Sequence, residues 1–245
     1  MSSTAWLPLK SASTRVGAGI LRCITIAAAA LAVVALPAWA ADDELLPLNA
    51  RFLVAARNAD AAAMERFLRE GAAVDSRNRL GESALLIVIK KDRFDLARSL
   101  VAAGADVNLA AINGTTPLMA AAYGGDIEFV KLLLDKGAKI DAVDRIKKNA
   151  MTYAAGEGRT DVVMLFVARG VDPNAVYQNG LTALMWAAGY GRVDTMRALV
   201  AARARTEPRD DRGKTALDIA RENGQAAAVE FLETTEKSAP AGKSG

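Results

Sequence analysis

Residues 113–144 read NGTTPLMAAAYGGDIEFVKLLLDKGAKIDAVD. Gly114 is followed by Thr116, whose hydroxyl can accept a bond from the free N–H groups that open a helix. Pro117 stands at the first helical position, where its missing N–H would have had no partner. After a short helical stretch comes Gly125, suited to the left-handed conformation just past a helix end. Beyond it Val130 and Leu133, three residues apart, share one face of a second helix that stops at Gly137. The stretch reads as turn, helix, loop, helix and return.

Outward from it the same pattern recurs every 33 residues. Gly81, Gly114, Gly180 and Gly213 share one register, with Lys147 in the skipped place, and Ser83, Thr116, Asn149, Thr182 and Thr215 follow as caps. Phe52, Leu85, Leu118, Met151, Leu184 and Leu217 form an apolar column in the first helices. In the second helices the columns are Met64, Ala97, Val130, Val163, Met196, Val229 and Phe67, Leu100, Leu133, Phe166, Leu199, Leu232. Gly125, Gly158, Gly191 and Gly224 mark the loops, and Gly71, Gly104, Gly137 and Gly170 the exits. One unit cannot enclose its own apolar face, so neighbours must stack on it, and Ala121-Ala122, Ala154-Ala155 and Ala187-Ala188 permit close approach of first helices. The pattern predicts an all-α solenoid of about six 33-residue helix–loop–helix units joined by short hairpin-like turns. The units run over about 45–77, 78–110, 111–143, 144–176, 177–209 and 210–235, the outer two reading as caps. The small polar residues 236–245 read as a disordered tail.

Residues 113–144 resemble an ankyrin repeat, as do 179–204, NGLTALMWAAGYGRVDTMRALVAARA, and the second unit, which carries GADVN at 104–108. The likeness covers roughly residues 45–235. It implies a stack with paired antiparallel helices in one arm and turn tips in the other, the concave inner surface combining tips and first helices. Some residues depart from the family pattern. Its His in Thr-Pro-Leu-His is replaced by Leu86, Met119, Thr152, Met185 and Asp218, so the polar bonds of that His must be made differently or go unmade. Lys147 removes the glycine of the fourth tight turn, and Arg203 in place of the terminal glycine predicts an irregular exit from the fifth unit.

The chain of 245 residues carries 31 Lys plus Arg, 28 Asp plus Glu, one Cys and no His. The three excess positive charges, Lys10, Arg15 and Arg22, all lie in residues 1–40, which hold no acid. The remainder balances to zero, which speaks against a nucleic-acid partner. Basic residues, the apolar run Cys23–Leu36 and Pro37-Ala38-Trp39-Ala40 follow in the order of a secretory signal, with cleavage predicted after Ala40. An anchor is the other reading, but a run of 14 residues falls short of the roughly 20 that a spanning helix needs. Cleavage would remove Cys23 and leave a thiol-free chain with no membrane span, stabilised in an oxidising space by packing alone. Resemblance to exported bacterial ankyrin proteins places the mature chain in the periplasm of a Gram-negative bacterium.

Chemistry is sparse. Without His the commonest general base and metal ligand are missing. Ser76, Ser83, Ser99, Ser238 and Ser244 occupy no Gly-x-Ser-x-Gly elbow, and Gly189-Tyr190-Gly191 lacks the Lys-Ser/Thr ending of a phosphate loop. Asp210-Asp211, flanked by Arg209 and Arg212, reads as a solvated tip. No catalytic, cofactor or metal set is predicted, and the chain is read as not an enzyme. The aromatic residues point elsewhere. Five of the six Phe lie in second helices, whereas Tyr123, Tyr153, Tyr177, Tyr190 and Trp186 lie in tips or first helices of units three to five. Rings with a polar edge suit a surface that is wet when free and dry when bound. Tyr153 and Trp186 share one position in consecutive units and should stand side by side. With Ile112, Arg145, Ile146, Lys147 and Lys148 from the tips they predict a concave, aromatic, basic-edged patch for another protein. The expected role is that of a monomeric, noncatalytic module acting as scaffold, inhibitor or helper of another exported protein. A stress-protective partner of a periplasmic redox enzyme is one form of it. The competing reading is a small-ligand carrier or enzyme with a pocket in the same face.

Overall fold

A computed structural model describes residues 46–238; the predicted signal, residues 1–40, lies outside the described residues, as do 41–45 and 239–245. Twelve α-helices follow in pairs: α1 (Leu48–Asn58) and α2 (Ala61–Arg69), α3 (Ala84–Ile89) and α4 (Phe94–Ala102), α5 (Pro117–Gly124) and α6 (Ile127–Asp135). The other pairs are α7 (Ala150–Glu157) and α8 (Thr160–Ala168), α9 (Ala183–Gly189) and α10 (Val193–Ala201), α11 (Ala216–Glu222) and α12 (Ala226–Ser238). Among the described residues there is no β-strand, only isolated backbone bridges of Arg77 with Ser83 and Val176 with Thr182. The fold is an all-helical solenoid.

Every predicted cap is made: Ser83, Thr116, Asn149, Thr182 and Thr215 each accept the N–H three residues on, at 3.0–3.3 Å. The column in which His is replaced returns the bond. Thr152 Oγ1 and Asp218 Oδ2 accept the N–H of Asn149 and Thr215 at 3.1 and 3.0 Å, and the Met119 and Met185 sulfurs accept from Thr116 and Thr182. Leu86, in the same column, has an aliphatic side chain with no acceptor atom, so the second unit is the one whose cap is not answered. Consecutive first helices pack on one another from α1 to α11. The two second-helix columns are buried throughout except Val229, which is half-buried.

Where glycine is missing, the backbone keeps its shape. Lys147 and Arg203 take φ 59° and 69°, beside values such as 83° at Gly114 and 84° at Gly137. Asp144 N–H still bonds Lys148 C=O at 2.9 Å, and Ala204 N–H still bonds Leu199 C=O at 2.9 Å. The fourth turn and the fifth exit are therefore regular, because several hydrogen bonds outweigh the cost of about 1–2 kcal/mol for a left-handed L-residue. At the C-terminus α12 carries residues 236–238, placed by sequence in the tail, as helix.

Adjacent units are joined at three levels. At the helix ends, Arg159 Nε donates to Tyr123 C=O and Arg192 Nε to Gly156 C=O, both at 2.9 Å. On the return side, Asn108 donates to Gly137 C=O and accepts from Lys139 N–H, and Asn174 does the same with Arg203 and Arg205. At the tips, one backbone bond of 2.9 Å links each pair: Ile112 N–H to Leu80 C=O, Arg145 N–H to Asn113 C=O, and Asp211 N–H to Asn179 C=O. Between units four and five the corresponding groups, Gln178 N–H and Ile146 C=O, make no such bond.

Candidate functional site

Asp144 organises the tip of unit four. Its Oδ1 accepts the N–H of Ile146 and Lys148, both at 2.9 Å, and its Oδ2 accepts the Tyr153 hydroxyl at 2.7 Å. Burial and, second, this carboxylate push the Tyr153 phenol well above its ordinary 10.0. The hydroxyl is committed within the protein, so Tyr153 offers a partner its ring rather than its O–H.

The rings around it form one run of contacts across units three to five. Tyr123, near the end of α5, meets the Tyr153 ring edge-on at 6.4 Å and 72°. The Lys148 ammonium lies 5.6 Å from the Tyr153 centroid and 4.2 Å from that of Trp186, so the two rings expected side by side share a cation. Trp186 on α9 stacks on Tyr190 at 6.2 Å and 11°. Gly156 lies beside this pair, where a Cβ would be in ordinary contact with the Tyr190 ring at 3.5 Å. Tyr123 and Tyr190 are about half exposed, Tyr153 and Trp186 less so.

Of the remaining predicted residues, Ile112, Arg145, Ile146 and Lys147 are exposed on the tips, and Lys148 is half-buried. Tyr177 is set apart from the wall. It occupies the column in which Asn78, Asp144 and Asp210 tie their tips, and it has no carboxylate or amide with which to do so. Its hydroxyl is buried beside Asn149 without a well-formed hydrogen bond, and burial pushes its pKa up. The Trp186 indole N–H is likewise buried and unpartnered. The tip of unit five folds instead as a 3-10 turn, Gln178–Gly180, with Asn179 at φ 60°.

Sequence reasoning passed over Leu80, Val143 and Val176, which are apolar, on the tips and 65%, 50% and 66% exposed. The signal was present: Leu80 and Ile146 share one column, and Val143 and Val176 another. A groove of about 290 Å³ lies between the tips and first helices of units two to four, lined by Ile89, Met119, Tyr123 and Tyr153 among others. A second, of about 230 Å³, lies beyond Trp186, against Tyr190 and Ile219. Among the described residues no cluster of His, Cys, Asp and Glu could hold a metal ion, and no helix is long and apolar enough to cross a membrane.

The family model for ankyrin repeats, in three copies, matches residues 52–144 and again 148–239. An inactive serine/threonine-protein kinase of Bos taurus, TEX14, is 36% identical over 91 residues, which are 37% of this chain and 6% of the kinase. Inversin of Danio rerio is 36% identical over 95 residues, 38% of this chain and 9% of inversin. Inversin of Mus musculus is 39% identical over 85 residues, 34% and 8% of the respective chains. The chain thus spans less than a tenth of the length of these relatives. Ankyrin repeats are generally protein–protein interaction modules, typically without catalysis of their own. With its helix pairs, caps and 33-residue period matched over most of its length, the chain belongs to the ankyrin-repeat family.

Proposed function

We propose that this chain is a noncatalytic module that binds another protein through the tips and first helices of units three to five, as scaffold, inhibitor or helper. The observation that carries the reading is the run Tyr123, Tyr153, Lys148, Trp186, Tyr190. These rings contact one another or share one cation across three units and keep a solvent-facing side. A preformed wall of this kind lowers the ordering cost of association. The residue pattern of the leader supports export and a periplasmic partner, a redox enzyme under stress being one form. Photocrosslinkers placed at Tyr123 and Ile146, with Lys131 and Arg197 on second helices as controls, test it in the native compartment. Crosslinks to one defined protein from the first two positions alone are expected. Equal yields from all four would refute the assignment of the face. The 290 Å³ groove favours the second reading, a small-ligand carrier, although it stands at the low end of ligand pockets. A metabolite retained by the purified chain in native mass spectrometry would decide for it.

A further inference from the structure

The tip row is interrupted once, between units four and five, where Lys147 stands in the glycine column and the following tip folds as a 3-10 turn. A Cβ built on Gly81, Gly114 or Gly180 would come within 2.8–2.9 Å of the backbone of the following tip. Glycine is therefore what allows neighbouring tips to approach to hydrogen-bonding distance. Lys147 occupies the same column and carries a Cβ, which opposes that approach, and Ile146 C=O and Gln178 N–H are unpaired among the described residues. Behind the tips the junction is closed, by Arg192 to Gly156 and by Asn174 to Arg203 and Arg205. The opening is a local notch.

The cations on the unit-four side of the notch face no carboxylate of their own tip, while Asp211 lies on the far side of the unit-five tip, against Gly180. In the tips of units three, four and five the only acid is Asp144, buried and bonded to Ile146, Lys148 and Tyr153. Arg145, Lys147 and Lys148 make no ion pair among the described residues. By contrast Arg209, Arg212 and Lys214 at the tip of unit six each lie within 3.9 Å of a carboxylate. Exposed Ile146 and Val176 flank the gap.

We propose that this notch docks an extended acidic segment of a partner protein, its backbone pairing with Ile146 C=O and Gln178 N–H and its carboxylates meeting Arg145 and Lys147. The inference rests on the reading of this face as protein-binding. A free donor and a free acceptor at an edge recruit an extended chain, as strand addition does elsewhere. Alternate side chains of such a segment point to opposite sides, so acidic residues reach Arg145 and Lys147 while apolar ones cover Ile146 and Val176. Unpaired cations steer the acidic segment in and disfavour a basic one.

A random dodecapeptide display library selected on the full chain, followed by fluorescence anisotropy on the enriched peptides, tests the proposal. Enriched peptides of net negative charge are expected, with affinity falling at least tenfold on the combined change Arg145→Glu and Lys147→Glu. Lys147→Gly should bind at least threefold more weakly than Lys147→Ala, since both remove the charge but only glycine lets the tips close. Circular dichroism checks that each variant stays folded. Neutral or basic peptides that ignore Arg145→Glu and Lys147→Glu but no longer bind after Tyr123→Ala and Trp186→Ala would overturn the notch and leave the face reading intact. Peptides indifferent to all four changes would overturn both. Failure to enrich any peptide, or preference of the same residues for a single-stranded thymidine oligonucleotide, would overturn the notch.

Discussion

If the Lys147 Cβ is what holds two tips apart, deleting it should stabilise the protein. Lys147 sits at φ 59°, a conformation that costs an L-residue about 1–2 kcal/mol and glycine almost nothing. Glycine in turn loses about 0.5–1 kcal/mol more backbone entropy on folding. The difference favours Lys147→Gly by about 0.5 kcal/mol, and closure of the Gln178 to Ile146 bond adds about 0.5–1.5 kcal/mol. The sum is about 1–2 kcal/mol, which at a urea slope of about 2 kcal/mol/M moves the denaturation midpoint up by about 0.5–1 M. Lys147→Ala removes the same charge but keeps the Cβ, and should change stability by no more than about 0.5 kcal/mol. Amide exchange gives the local readout: Gln178 N–H should exchange freely in the native chain and in Lys147→Ala, and become protected in Lys147→Gly. Equal midpoints for the two variants, or an unprotected Gln178 in the glycine variant, would refute the account of the broken tip row.

Leu133→Ala, at a side chain with no exposure, should destabilise by about 2–5 kcal/mol through reduced transfer energy and a residual cavity, read as a lower urea midpoint. Thr116→Ala removes the cap on the Met119 N–H and should lower stability by about 1 kcal/mol, whereas Thr116→Ser should cost far less. Alkaline titration followed by tyrosinate absorbance should show phenols ionising well above 10.0, Tyr153 among them, and Asp144→Asn should bring Tyr153 part of the way down. Since the fold holds this phenol protonated, its contribution to stability is complete below the unfolded tyrosine value near 10 and disappears as pH rises through the folded one, so Tyr153→Phe should be less alkali-sensitive than the native chain. Gly114→Ala, whose Cβ would lie 2.8 Å from the Asp144 Cα, should lower the midpoint and expose the Arg145 amide to exchange.

What the sequence shows at one spacing is what each unit does for itself. Ser83, Thr116, Asn149, Thr182 and Thr215 cap the helices that follow them, and Phe67, Leu100, Leu133, Phe166, Leu199 and Leu232 fill the core, because both jobs fall within a few residues or one helical face. Relations between units are written across columns and are harder to read. The glycine at Gly114 looks as though it shapes its own turn, yet Lys147 makes the same turn, with the same bond pattern and the same sign of φ. What distinguishes glycine there is the approach of the next tip, a property of two units that no single repeat displays. The same holds at the aromatic wall. Tyr153 was legible as a surface ring, but its bond to Asp144 crosses from helix to tip, and Lys148 reaches Trp186 in the next unit. A lysine in a glycine column therefore keeps the turn while parting two tips. That is why the place where the repeat pattern fails locally is also where unpaired backbone groups, unpaired cations and exposed apolar side chains come together.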